Sequence, residues 1–155
     1  MAFGLYHNLS SGLHEAVSET FRVLEKDGLV CASFRADNFQ TRLSDWLVDK
    51  TKSRRIDDNH TKIFHKLNLT KSEFRKLFED AGFKVEQIRS VQNMPLLYKF
   101  RVFRARNHKE FNEKLAREEG YKLSIFGNFI QKALMKAFPD QLCNLYVIFA
   151  RRPLD

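Results

Sequence analysis

Phe21-Arg22-Val23-Leu24-Glu25-Lys26-Asp27-Gly28-Leu29-Val30 and, further on, Leu77-Phe78-Glu79-Asp80-Ala81-Gly82-Phe83-Lys84-Val85 share one plan. In each, an amphipathic helix runs into a single glycine and a strand-like apolar run begins at once. Glycine tolerates the left-handed backbone that commonly ends a helix, so each junction is expected to turn the chain from helix into sheet. Two such junctions read as an α/β fold.

The pattern extends on both sides. Before Gly28, the residues Leu13, Ala16, Val17, Phe21 and Leu24 recur at the helical period, with Ser10 or Ser11 placed to cap the helix. After it, Leu29-Val30-Cys31-Ala32-Ser33-Phe34 suits a strand buried on both faces. Asp37 is expected to cap a second helix with Phe39, Leu43, Trp46 and Leu47 on one side. Residues 50–62 are polar and charged and read as a surface loop near a substrate entrance. Thr70-Lys71-Ser72-Glu73 is a capping box opening a helix that turns Phe74, Leu77, Phe78 and Ala81 inward. Lys84 to Val91 alternates as a half-exposed strand, Val85 and Gln87 against Glu86 and Ile88. Residues 95–139 carry helical patterns: a short stripe of Phe111, Leu115 and Tyr121, then a clearer one of Ile125, Phe129, Ile130, Ala133, Leu134 and Ala137, stopped by Pro139. Asn144 to Arg151 reads as the last strand.

With 155 residues the chain is expected to form a single domain, residues 1–155, large enough to bury roughly 70% of its unfolded surface. Some of the fifteen phenylalanines must face a core or a pocket. The net charge of +8 favours acidic partners or simply coats the surface. No apolar run approaches the ~18 residues of a membrane span, and no signal peptide is visible. Cys31 and Cys143 sit in apolar runs and read as reduced core residues of a cytoplasmic protein. No metal-ligand spacing is present.

Four segments, in order, resemble elements of class I S-adenosylmethionine-dependent methyltransferases. Phe3-Gly4-Leu5-Tyr6-His7-Asn8-Leu9 is similar to the end of that family's fourth strand and the following loop. Arg22-Val23-Leu24 with Asp27-Gly28 resembles the element before its fifth strand. Phe74 to Phe83 resembles the helix leading into the sixth. Asn144 to Pro153, ending Ala150-Arg151-Arg152-Pro153, resembles the final strand. The resemblance implies a partial Rossmann-like sheet: the end of strand four, strands five and six, and an antiparallel seventh placed between five and six, with helices on both faces. Residues 95–139 would be a helical insertion between the last two strands. In that family the cofactor is held by a glycine-rich loop after strand one and an acid after strand two. Here the six glycines (4, 12, 28, 82, 120 and 127) include no G-x-G pair. The resemblance therefore implies a C-terminal half, with S-adenosylmethionine as cofactor of the whole, an unknown methyl acceptor, and no catalytic competence for this chain alone. It also implies a missing N-terminal half or a homo-oligomer as partner, because an open sheet edge recruits another chain.

By the same resemblance, Phe3, Gly4 and His7 would line the methionine end of the cofactor pocket, with His7 the candidate catalytic base. The alternative for His7 is a hydrogen bond within its own loop. Phe34 and Arg35, just past the fifth strand, are candidate substrate residues, Arg35 for an anionic group. The competing reading pairs Arg35 with Asp37. His60, His65 and His108 read as surface residues. Tyr98-Lys99-Phe100-Arg101-Val102-Phe103-Arg104-Ala105-Arg106 interleaves rings and cations. That pattern can bind nucleic acid, though an amphipathic strand or helix, Phe inward and Arg outward, is the favoured reading. A basic, non-catalytic nucleic-acid-binding module, or a subunit that stabilises a partner enzyme, is the alternative function.

Overall fold

A computed structural model of the chain describes residues 1–2, 4–9, 11–52, 67–110 and 113–154. Three strands, β1 (Leu29–Arg35), β2 (Lys84–Val91) and β3 (Leu145–Arg151), form one sheet in the order β1-β3-β2. β3 runs antiparallel to both neighbours, pairing Leu29 with Arg151 on one side and Lys84 with the same residue on the other. That is the arrangement expected for strands five, seven and six. At the outer edge of β1, Ala2 pairs in parallel with Ala32, where the tail of a fourth strand was expected.

α1 (Leu13–Val23) and α3 (Lys71–Asp80) cover one face of the sheet. Val17, Phe74, Leu77 and Phe78 pack there against Val30, Ala32, Phe34, Tyr146, Ile148 and Ala150. The phenylalanines form a continuous chain of ring contacts: Phe34 to Phe74 at 5.5 Å and Phe78 to Phe83 at 5.3 Å, both tilted, and Phe74 to Phe78 at 5.4 Å and Phe83 to Phe21 at 5.0 Å, both edge-to-face. Such ring pairs add about 0.5–1.5 kcal/mol each to simple area burial. A β-bulge between Val85 and Gln87 sets Glu86 aside, so Ile88 shares a face with Val85 and packs on this core. The expected simple alternation of β2 is broken there.

The two helix–glycine–strand junctions differ in mechanism. Gly82 has φ 96 and ends α3 as expected. α1 already ends at Val23, with Leu24 extended, and a turn follows in which the Gly28 N–H donates to the Glu25 carbonyl at 2.9 Å. The left-handed residue is Asp27, with φ 61. Gly28 is needed for room instead, because a Cβ there would lie 2.7 Å from the Glu25 oxygen and 2.8 Å from Leu24 Cγ.

Caps also depart from expectation. Ser10 lies outside the described residues, and Gly12, at φ 73, occupies the N-cap of α1 with no side-chain cap bond. α2 (Phe39–Lys52) is capped by Asn38, whose Oδ1 accepts from the Thr41 N–H, while Asp37 pairs with Arg42 at 2.8 Å. Asn38 wins because its amide also donates to the carbonyls of Asp140 and Cys143, tying α2 to the turn before β3. The capping box of α3 forms as expected between Thr70 and Glu73. The loop expected at 50–62 begins instead as the end of α2, and residues 53–66 lie outside the described ones.

Between β2 and β3 come two 3-10 turns, Leu96–Lys99 and Arg101–Phe103, a third at Arg106–His108, then α4 (Glu113–Glu119) and α5 (Ile125–Ala137). The Tyr98–Arg106 stretch is thus neither strand nor α-helix. Its own small core is Leu97, Tyr98, Ala116 and Leu123. Tyr98 is buried, stacks edge-on against Tyr121 at 5.0 Å and bonds His108 Nδ1 at 2.9 Å. His108 is therefore an interior residue, correcting its surface reading; ring burial against Tyr98 outweighs its polar flanks. Phe111 lies outside the described residues, and Tyr121 follows α4 rather than sharing a stripe with Leu115. α5 turns Gly127, Ile130 and Gln131 inward, while Ile125 and Phe129 from its expected apolar stripe are exposed.

Candidate functional site

The carboxyl ends of β1 and β2 and the start of β3 meet at one edge of the sheet. Open α/β sheets bind ligands at that edge. Asn144 stitches it together. Its N–H donates to the Val91 carbonyl at 3.0 Å, its own carbonyl accepts from Ala36 at 3.0 Å, and its Oδ1 accepts from the N–H groups of Asn93 and Met94. The Gln40 amide of α2 donates to the Met94 carbonyl at 2.9 Å, so the helix is held over the same edge.

These ties leave a cavity of about 320 Å³. β1 contributes Arg35, α2 contributes Thr41 and Ser44, the two strand-end turns contribute Asn93 and Asn144, and His7 and Tyr121 close its sides. No carboxylate is among its lining residues. Ser44 is buried, and its hydroxyl has no hydrogen-bond partner among the described residues. A buried, unmatched hydroxyl costs about 1–3 kcal/mol, a deficit that a bound polar group can offset. A larger hollow of about 640 Å³ lies over the first turns of α2, where Phe39, Leu43 and Trp46 share a face as expected. It contains none of the candidate site residues.

The structure brings together two of the sequence candidates in this cavity, His7 and Arg35. Gly4 adjoins them with φ 70, leaving bare backbone beside the His7 ring, and its N–H donates to Ser33 Oγ at 3.1 Å. Phe34 is fully buried on the opposite face of β1, with its ring edge-on to His7 at 6.1 Å, and is not among the residues that line the cavity. Phe3, His60 and His65 lie outside the described residues. Arg35 does not pair with Asp37. Its guanidinium donates to Asp45 at 2.6 Å and Asn68 at 2.8 Å, because Asp45 projects from α2 toward the strand end while Asp37 is taken by Arg42.

Lys99 lies within electrostatic reach of both Asp45 and Arg35. Burial holds its ammonium below the usual lysine range; Asp45 opposes this and Arg35 adds to it. Arg35 is the cation that pairs with Asp45 at the cavity, and Lys99 senses both at longer range. Lys99, Ser44 and Asn144 are missed by sequence reasoning; an Asn placed directly before the last strand is the one local signal available. In the ring-and-cation stretch, Arg104 stacks on the Tyr98 ring at 5.3 Å and donates to the carbonyls of Tyr98, Lys99 and Lys109. It braces the turn, so the stretch does not present a regular alternating face. Burial raises the pKa of both free thiols; Cys143 is buried as expected, whereas Cys31 is half-buried on the second face of the sheet.

No protein-family model matches the chain, and no curated protein sequence does. Solved structures do match. A structure of the complex between the Haloferax volcanii Trm112 methyltransferase activator and a methyltransferase aligns with 97% of this chain and 51% of its own, at TM-score 0.51 and 12% identity. A SAM-dependent methyltransferase from Archaeoglobus fulgidus aligns with 97% of this chain and 57% of its own, at TM-score 0.50 and 14% identity. The chain spans about half the length of the structures it matches. Strand order, the antiparallel last strand and these likenesses agree: the chain adopts part of the fold of class I SAM-dependent methyltransferases.

Proposed function

We propose that this chain is the C-terminal portion of an S-adenosylmethionine-dependent methyltransferase, single-domain over residues 1–155, with 95–139 as a helical insertion on the acceptor side. One observation carries the reading. In a sheet ordered like that of the methyltransferase fold, His7, Arg35 and the turns pinned by Asn144 converge on one cavity at the ligand-binding edge. Gly4 and His7 fit one wall of the methionine end of a cofactor site. They are not enough for the whole, since no G-x-G pair occurs in the chain to cradle the rest.

When bound, S-adenosylmethionine supplies an electrophilic methyl group on a sulfonium sulfur. The residues of this chain position the acceptor and manage its proton. His7 takes the proton of an acceptor whose nucleophile carries one. Arg35, the cation that lines the cavity, favours an acceptor with an acidic group. Thr41, Ser44 and Asn93 orient it by hydrogen bonds, and holding two reactants in line is worth up to ~7–11 kcal/mol of barrier. The chain alone is inactive in this reading, and it works with a glycine-rich partner half or in an oligomer. The sheet supports a partner: its second face carries Leu29, Cys31 and Phe149, which are not fully covered, and β1 lies at the edge of the sheet.

Isothermal titration with S-adenosylmethionine tests this. The expected result is no micromolar binding by the chain alone and micromolar binding once a glycine-rich half-domain from the same genome is co-expressed. Binding that stays absent with such a partner overturns the proposal.

A further inference from the structure

The charge of this protein is unevenly placed. Residues 94–109 carry Lys99, Arg101, Arg104, Arg106 and Lys109, residues 120–138 carry Lys122, Lys132 and Lys136, and neither segment contains an Asp or Glu. Setting those eight aside leaves 19 basic against 19 acidic residues of the original 27 and 19, so the whole net charge of +8 resides in these two segments. They pack on each other: a Cβ on Gly127 of α5 would lie 2.6 Å from the Phe103 carbonyl.

The same surface is its most apolar. Ile125 is 93% exposed, Val102 84%, Phe129 73% and Phe126 65%. Ile125 and Phe126 lie about one turn before Phe129 on α5, and Phe126 joins them to the turn that carries Val102 by stacking on Phe103 at 6.4 Å, which in turn meets the exposed Phe100 at 6.5 Å. α5 is held in this pose from beneath, by its Ser124 cap and by Gln131 Oε1, which accepts from the Leu97 N–H. A helix apolar on its outer as well as its inner side needs an apolar neighbour outside. At 13 residues α5 is shorter than the about 20 needed to span a bilayer, and no described helix is long and apolar enough to cross a membrane.

We propose that this patch docks the protein on the surface of an anionic lipid bilayer. Ile125, Phe126, Phe129 and Val102 enter the interface, and Arg101, Lys132 and Lys136 lie among the acidic headgroups. Charge complementarity excludes a second copy on the same face, since a two-fold contact sets Lys132 and Lys136 against themselves with no acid on either side. Single-stranded nucleic acid fits less well. Its bases stack on rings, whereas the most exposed residues of this patch are the aliphatic Ile125 and Val102. The proposal stands independently of methyl transfer.

Co-sedimentation of the full chain with phosphatidylglycerol–phosphatidylcholine vesicles, against pure phosphatidylcholine, tests it. The expected result is binding to the anionic vesicles only, weakened by salt, with the double variant Phe126→Ser/Phe129→Ser lowering the partition at least about tenfold while the circular dichroism spectrum stays native. Lys132→Gln/Lys136→Gln weakens binding more than the control pair Lys26→Gln/Lys84→Gln, which removes the same charge from elsewhere. In Phe129→Trp, bilayer entry gives a blue-shifted emission quenched by brominated lipid. No binding at low salt, equal loss in the control pair, or an unchanged partition in the serine variant overturns the proposal. So does single-stranded RNA binding without vesicle binding, or a dimer that Phe129→Ser dissociates.

Discussion

Phenylalanine meets opposite fates in two regions of this molecule. In the sheet layer, Phe34, Phe74, Phe78 and Phe83 are buried and linked ring to ring between α1, α3 and the strands. In the segment between β2 and β3, Phe100, Phe126 and Phe129 stand in solvent beside cations. The first region has a regular sheet that offers each helix a flat apolar face. The second has short turns around a small core, four buried apolar residues among those described, and leaves the outer side of α5 uncovered. An apolar stripe says that a helix has a partner, and the surrounding architecture decides whether that partner lies within the chain.

The sharpest way to break this contrast is to remove a ring from the sheet layer. Phe78→Ala is expected to cost about 3–5 kcal/mol in urea unfolding, because the neighbouring rings cannot close the gap. Gly127→Ala tests the second region alone. The added methyl has no room against Phe103, and overpacking of this kind costs about 1–3 kcal/mol. Amide exchange should speed up through residues 96–134 while β1, β2 and β3 keep their protection; a uniform loss would show that the two regions unfold together.

Asp140 gives a pH handle at the boundary between them. Ser90 Oγ donates to its carboxylate and Lys71 pairs with it at 3.1 Å, holding the carboxyl below its ordinary value against the opposing effect of burial. A lowered folded-state value stabilises the fold above the unfolded-state value and loses that contribution as pH falls through the folded one. Asp140→Asn should therefore lower the melting temperature at neutral pH and flatten its decline below about pH 4, so that the two proteins converge in acid. The smallest effect is expected for Phe129→Ser, within about ±0.5 kcal/mol, since a side chain this exposed gives up almost no packing.

Much of the sheet layer was legible along the chain. The capping box at Thr70, the glycine at 82 and the apolar runs of β1 and β3 are local signals, and local chemistry is enough to place them. The site was legible in part. His7 and Arg35 do meet at one cavity, but the partner of Arg35 is Asp45, ten positions on, and not the adjacent Asp37. Asn144 enters the site because β3 returns between strands far away in sequence, and Ser44 because Gln40 ties α2 to the turn after β2. His108 looked like one more polar residue in a basic stretch, and only the fold shows it sealed behind Tyr98.

Sequence alone determined that this is an α/β chain with helices feeding strands through glycine, and in what order. Periodicity and turn chemistry act over a few residues, and they survive any later packing. Tertiary structure decided which glycine needs a left-handed backbone and which needs empty space, which aspartate holds Arg35, and which face of α5 is left to the outside. Those are questions of what approaches from elsewhere in the chain, and packing distance, unlike periodicity, is not written in any local run of residues.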